Sequence, residues 1–236
     1  MNTRLTLLAL ALAFAPACAR SINPQTQALT NQLLQETRNA RDVGAPASYE
    51  PKPWKAGQWV LYRVTQNGKD PQVTRIKVVE QTSDGFWIET EQVDYYNRTL
   101  TRVLYSRQPR NYDEAVDAIQ KIITRQDDGD PQEQDFTQDN ELVRMMKRTM
   151  KHVGNGLVAP TDVSSAPRED VTVPAGSFKS TAKFEAALFL GPIEKRFTGW
   201  YHPEVPLNGG VKTVTTDGEW THELLDFGHS GATSSF

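Results

Sequence analysis

The sequence predicts an α+β domain in which one large, curved antiparallel sheet, a half-barrel of about nine strands, wraps around two inserted helices and follows an N-terminal helix. Three observations carry this. Residues 57 to 105 and 170 to 227 form two blocks of strand-like apolar runs broken by turn residues. Between them lie about sixty residues whose apolar side chains recur at helical spacing. The chain has 236 residues, 38% of them hydrophobic, and a single cysteine, so one domain must stand on its core without an internal disulfide.

Composition also excludes functions. With 26 basic against 29 acidic side chains and a formal charge of -3, there is no basic footprint for nucleic acid or for an electrostatic membrane contact. Aromatic residues make up 9%, which is inconsistent with a disordered chain.

Residues 1 to 17 read as a signal peptide: Arg4, then an apolar run from Leu5 to Phe14, then Ala15-Pro16-Ala17. The run falls short of the roughly 20 apolar residues that a membrane-spanning helix needs. Asn23-Pro24 is an N-cap followed by proline at the first helical position, and Leu29, Leu33, Ala40 and Val43 carry a helix to a stop at Gly44. A proline-rich linker closes this 18–56 region.

The half-barrel domain is expected over 57–228. Strands are expected at 58–66, 73–80, 86–95 and 99–105, with Asn67-Gly68 and Ser83-Asp84-Gly85 as turns. A helical insertion at about 107–168 follows. Its first helix, 112–125, places Val116, Ile119, Ile122 and Ile123 on one stripe, and a polar loop follows. Its second helix runs from about Asn140 to Val153, with Leu142, Met145, Met146, Met150 and Val153 inward. Five more strands are expected at 171–173, 178–190, 193–201, 211–216 and 219–227, with Asp217-Gly218 as a turn, and 229–236 reads as a flexible tail. A sheet of this size tends to curl, and the helical stripes need a surface to bury against. A two-sheet sandwich with helices at one end is the alternative.

Two local patterns resemble known families. Cys18 after Ala15-Pro16-Ala17 resembles the lipobox of bacterial lipoproteins, which implies a diacylglyceryl and palmitate anchor on Cys18; Ala19 in place of aspartate implies the outer membrane. Cleavage by an ordinary signal peptidase, with an incidental cysteine, is the alternative. Val173-Pro174-Ala175-Gly176-Ser177-Phe178, then Trp200-Tyr201-His202-Pro203-Glu204-Val205 and Gly210-Val211-Lys212, is similar to a pattern in exported bacterial half-barrel proteins of unknown function. The order of elements resembles the LolA/LolB group, whose curved sheet shelters lipoprotein acyl chains.

No motif supplies catalytic chemistry, so the chain reads as non-enzymatic. Gly228-His229-Ser230-Gly231-Ala232 lacks the second glycine of a nucleophile elbow. His202 with Glu204, and His222 near Glu223, could hold a metal only if the fold united them, so no metal or cofactor is assigned. The apolar strand positions are more informative. Strand 58–66 is apolar on both faces, with Trp59 and Leu61 on one side and Val60, Tyr62 and Val64 on the other, so it belongs either to a large core or to a cavity wall. Tyr62, Val64, Ile76, Val78, Phe86, Ile88, Leu104, Phe184 and Leu188, with Met146 and Met150, form the candidate ligand-lining set. The leading expectation is therefore an exported lipoprotein facing the periplasm that binds a lipid, an acyl chain or a partner segment in its concave face. The alternative is a scaffolding lipoprotein of an envelope assembly with a filled core.

Overall fold

The computed structural model describes residues 21–36, 40–153, 163, 165–190 and 193–236; of residues 152, 153, 188–190, 193 and 194 it describes the backbone alone. The expected signal peptide at 1–17 and Cys18 lie outside these residues. Helix α1 (Pro24–Gln35) begins as expected: Asn23 Oδ1 accepts the Gln25 N–H at 3.0 Å, and Pro24 occupies the first turn. It ends before Gly44, because Glu36 leaves the helical region at ψ 125°. Arg41–Val43 is a strand instead, β1, and it pairs parallel to β9.

Strands β2 (Trp59–Gln66), β3 (Gln72–Thr82), β4 (Gly85–Val93) and β5 (Arg98–Tyr105) form the expected antiparallel meander. The expected helix 112–125 is half helix and half strand. α2 (Tyr112–Ala118) is capped by Asn111, whose side chain accepts the Glu114 N–H, and Ile119 then turns extended at ψ 124°. β6 (Ile119–Gln126) pairs with β5, setting Ile122 opposite Val103. The β-branched run Ile119, Ile122, Ile123, Thr124 fits either period, and the open edge of β5 decides it. The polar loop that follows also contains a short strand, β7 (Gln132–Asp135). Helix α3 (Glu141–Val153) comes next, then β8 (Arg168–Val173), β9 (Gly176–Leu190), β10 (Ile193–Tyr201), β11 (Gly210–Thr215) and β12 (Trp220–Gly228).

The strands form one open sheet of twelve, where about nine were expected. β1, β6 and β7 are the additions. The order is β1-β9-β10-β11-β12-β2-β3-β4-β5-β6-β7, with β8 also paired to β9. The β12/β2 pairing therefore joins the two sequence blocks into one sheet, and no second sheet stacks on it among the described residues.

Period-two alternation gives this sheet two distinct faces. On the core face, Val60, Tyr62, Val78, Ile88, Val103, Ile122, Leu224 and Phe227 pack with Ala118 of α2, Val143 of α3, and Val171, Val173 and Phe178 of the β8–β9 hairpin. Both mid-chain helices therefore pack on the core face, as expected. The Ala175 N–H donates to the Leu224 carbonyl at 3.1 Å, which holds the hairpin turn against β12. On the outer face, Leu33 of α1 packs with Leu61, Val73, Val93 and Leu225. The two-faced apolarity of β2 thus has a plain cause: α1 covers one side and the main core the other.

Charge is segregated just as strongly. In β3 through β7 the register puts every charged side chain on the outer face, including Lys77 opposite Glu89, Arg75 opposite Glu91, and Arg102 in the same row as Lys77. The core face of these strands carries only apolar, threonine and glutamine side chains.

Candidate functional site

The core face divides along the strands into a filled half and an open half. In the filled half Tyr62, Val78 and Ile88 are each at most 1% exposed and Ile76 is 8% exposed. The Tyr62 hydroxyl donates to Asn208 Oδ1 at 2.9 Å, with the Gly210 carbonyl at 3.0 Å, and burial raises its pKa well above the phenol range. Phe86, Met146 and Met150 are half-buried against the same core. These side chains are thus covered by other side chains of the same core.

The open half begins one step further along each strand. Thr90, Thr101, Thr124 and Gln132 are aligned across β4, β5, β6 and β7, and Thr74, Gln92, Thr99 and Gln126 make the next row across β3 to β6. Thr74 is buried, Thr90, Thr99, Thr101 and Thr124 are half-buried, and Gln92, Gln126 and Gln132 are exposed. Hydroxyl and amide groups offer donors and acceptors without charge, so this surface can recognise neutral polar groups, including the backbone of an extended chain. Composition alone hides the platform; marking the Thr and Gln positions along each alternating strand would have found it.

Next to this surface Tyr62, His222 and Trp220 stack in sequence, with ring centroids 4.1 Å and 5.5 Å apart. Burial among these rings lowers the His222 pKa to about 4, so the ring is neutral at neutral pH. Glu223 points to the opposite face, where it pairs with Arg63 at 2.8 Å and Lys212 at 3.0 Å. His202 is buried: its Nε2 lies 3.2 Å from the Gly44 carbonyl, its Nδ1 accepts the Glu204 N–H, and the Glu204 carboxylate goes to Lys52. Neither histidine–glutamate pair converges, and no group of three metal-ligating side chains occurs among the described residues.

Two members of the expected lining set lie elsewhere, and a third, Val64, lies on the core face at its margin. Leu104 sits on the outer face, opposite Trp87 and Lys121, because its odd-even position in β5 is that of Arg102 rather than Val103. Phe184 belongs to a separate cluster with Val163, Ala182 and Tyr201, with its ring over Gly199. Val64 is half-buried beside His222, in the row beyond the main core. The side chain of Leu188 lies outside the described residues, as does Cys18. In α3, Leu142 and Met145 point outward, 53% and 46% exposed, while Val143 is buried. A surface cleft of about 520 Å³ opens beside β1, lined by Arg41, Val43, Glu204, Phe227 and His229.

No family model matches the chain and no curated protein matches it. Among solved structures, it is similar to the hypothetical protein CT021 of Chlamydia trachomatis, at 10% identity and a TM-score of 0.38, over 77% of this chain and 91% of that one. It is also similar to a Bacteroides fragilis protein with a YmcC-like fold, at 12% identity and a TM-score of 0.31, over 75% of this chain and 97% of that one. No helix among the described residues is long and apolar enough to cross a membrane.

Proposed function

We propose that this chain is a non-enzymatic, exported lipoprotein, anchored through Cys18 to the outer membrane and facing the periplasm, that docks a segment of an envelope partner on the open half of its core face. In this reading the sheet is bent as a half-barrel, and the Thr90, Thr101 and Thr124 row lines its exposed wall. The single observation that supports docking over carriage is the filled half: Tyr62, Val78 and Ile88 are sealed beneath the helices, so an acyl chain would have to displace packed side chains. Displacement forfeits burial worth about 25 cal/mol per Å², whereas a polar segment laid on the threonine row needs no rearrangement.

The test is site-specific photocrosslinking from Thr101 in the intact envelope, together with palmitate labelling. Discrete crosslinked partners, lost in Thr90→Lys with the fold unchanged, and labelling lost in Cys18→Ser are the expected results. A monomer that crosslinks to nothing from this row, or labelling that survives Cys18→Ser, contradicts the proposal.

Carriage of an apolar ligand is a second reading, supported by the half-burial of Met146 and Met150, which are soft side chains at the border of the filled half. It requires α3 to lift. Lipid recovered by solvent extraction from the purified protein would favour it.

A further inference from the structure

The segment that reads as a flexible tail is bound across the outer face. The Ala232 N–H donates to the Gly57 carbonyl at 2.9 Å. Lys77 Nζ donates to the Thr233 carbonyl at 3.0 Å and to Ser235 Oγ at 2.7 Å. Glu89 accepts from Ser234 Oγ and from the Ser235 N–H, each at 2.8 Å, and Arg125 donates to the Ser235 carbonyl at 2.8 Å. The Arg125 guanidinium also stands 5.1 Å from the centre of the Phe236 ring. Beneath the segment, Lys77 and Glu89 are 5% and 0% exposed.

Two features distinguish this from ordinary packing of a chain segment. First, most of the contacts read backbone groups or hydroxyls, so they constitute a general site for an extended chain. Second, the fit is incomplete: Arg125 Nε, buried on this face in a side chain that holds the segment, has no hydrogen-bond acceptor among the described residues.

We infer that residues 232–236 occupy in cis a docking site for an extended segment of another polypeptide, one that presents a hydroxyl side chain over the Lys77–Glu89 pair, an aromatic ring over Arg125, and an acceptor for the Arg125 Nε. The chain's own segment is the placeholder that such a partner displaces. Because it is tethered, it competes at an effective concentration in the millimolar range, so only a partner that binds better than the placeholder enters. This site is on the opposite face from the threonine row, and the inference stands whether or not that row binds anything.

The test uses the full-length chain carrying Ser235→Pro, which removes the N–H that Glu89 accepts, and a fluorescently labelled peptide with the sequence of residues 231–236. Saturable anisotropy binding to Ser235→Pro is expected, at least about tenfold weaker binding to the wild type, and none for a peptide with proline at the position of Ser235. A folded Ser235→Pro chain that does not bind the peptide overturns the inference. If that variant does not fold, hydrogen exchange on the wild type decides: a Ser235 amide that opens well before global unfolding supports a displaceable segment, and one that exchanges only on global unfolding overturns it. Wild-type dimers that form with concentration and vanish in Ser235→Pro would seat a second copy's segment there and overturn the assignment to a different partner.

Discussion

Lys77 and Glu89 face each other across β3 and β4 with Nζ 2.5 Å from Oε1, and neither side chain reaches solvent. Burial alone would raise the Glu89 carboxyl, but hydrogen bonds from Lys77, Ser234 and Ser235 outweigh it and hold its pKa below the usual range. Removing one partner strands the other charge. Lys77→Met is expected to cost about 3–5 kcal/mol in urea unfolding, and the double variant Lys77→Met with Glu89→Leu to recover much of that loss. A double variant no more stable than the single one would refute this account.

The same pair sets an acid limit. A carboxyl with a depressed folded pKa gives its full stabilisation above the unfolded value near 4.5 and loses it as pH falls through the folded value. Stability curves of the wild type and Glu89→Gln are therefore expected to keep a constant separation above about pH 4.5 and to converge as pH falls below it.

His222 predicts a second, milder pH dependence. Burial takes its pKa from 6.5 to about 4, so between these values the unfolded chain binds a proton that the folded chain refuses. Stability should therefore be complete above pH 6.5 and fall by up to about 3 kcal/mol on acidification toward pH 4. His222→Phe keeps a ring between Tyr62 and Trp220, and this portion of the slope should vanish in its denaturation curves.

Gly176 gives the Val-Pro-Ala-Gly turn a physical explanation. It holds φ +135°, and a Cβ there would stand 2.0 Å from the Arg41 carbonyl oxygen of β1. Gly176→Ala is expected to force β1 away from β9 and to cost at least about 1–3 kcal/mol by chemical denaturation, with amide exchange accelerated at residues 41–43.

In α3 the expected inward stripe and the observed one differ in a way that mutation can read. Val143→Ala should cost about 1–3 kcal/mol, while Leu142→Ser and Met145→Ser, at exposed positions, should stay within about 0.5 kcal/mol in thermal or urea unfolding.

Most of the fold was legible in the sequence. Strand β10 has the bounds expected for it, the other eight expected strands lie within a few residues of theirs, and both turns at Gly68 and Gly218 hold positive φ. Local signals were misleading where two periods fitted the same residues. Ile119, Ile122 and Ile123 fit a helix stripe and fit a strand equally, and only the waiting edge of β5 made them β6. Part of the candidate site was legible too: Tyr62, Ile76, Val78 and Ile88 do share one face, but their spacing says nothing of whether that face is filled.

By itself the sequence determined which side chains alternate together, where the chain turns, and that charge and apolarity would separate, because these follow from the two-residue repeat of an extended backbone. Only the tertiary structure decided what covers each face. Lys77 and Glu89 have the pattern of solvated residues, yet the 232–236 segment, about 150 positions away in the chain, buries them. Coverage is a long-range contact set by how the whole sheet assembles, and no local repeat encodes it.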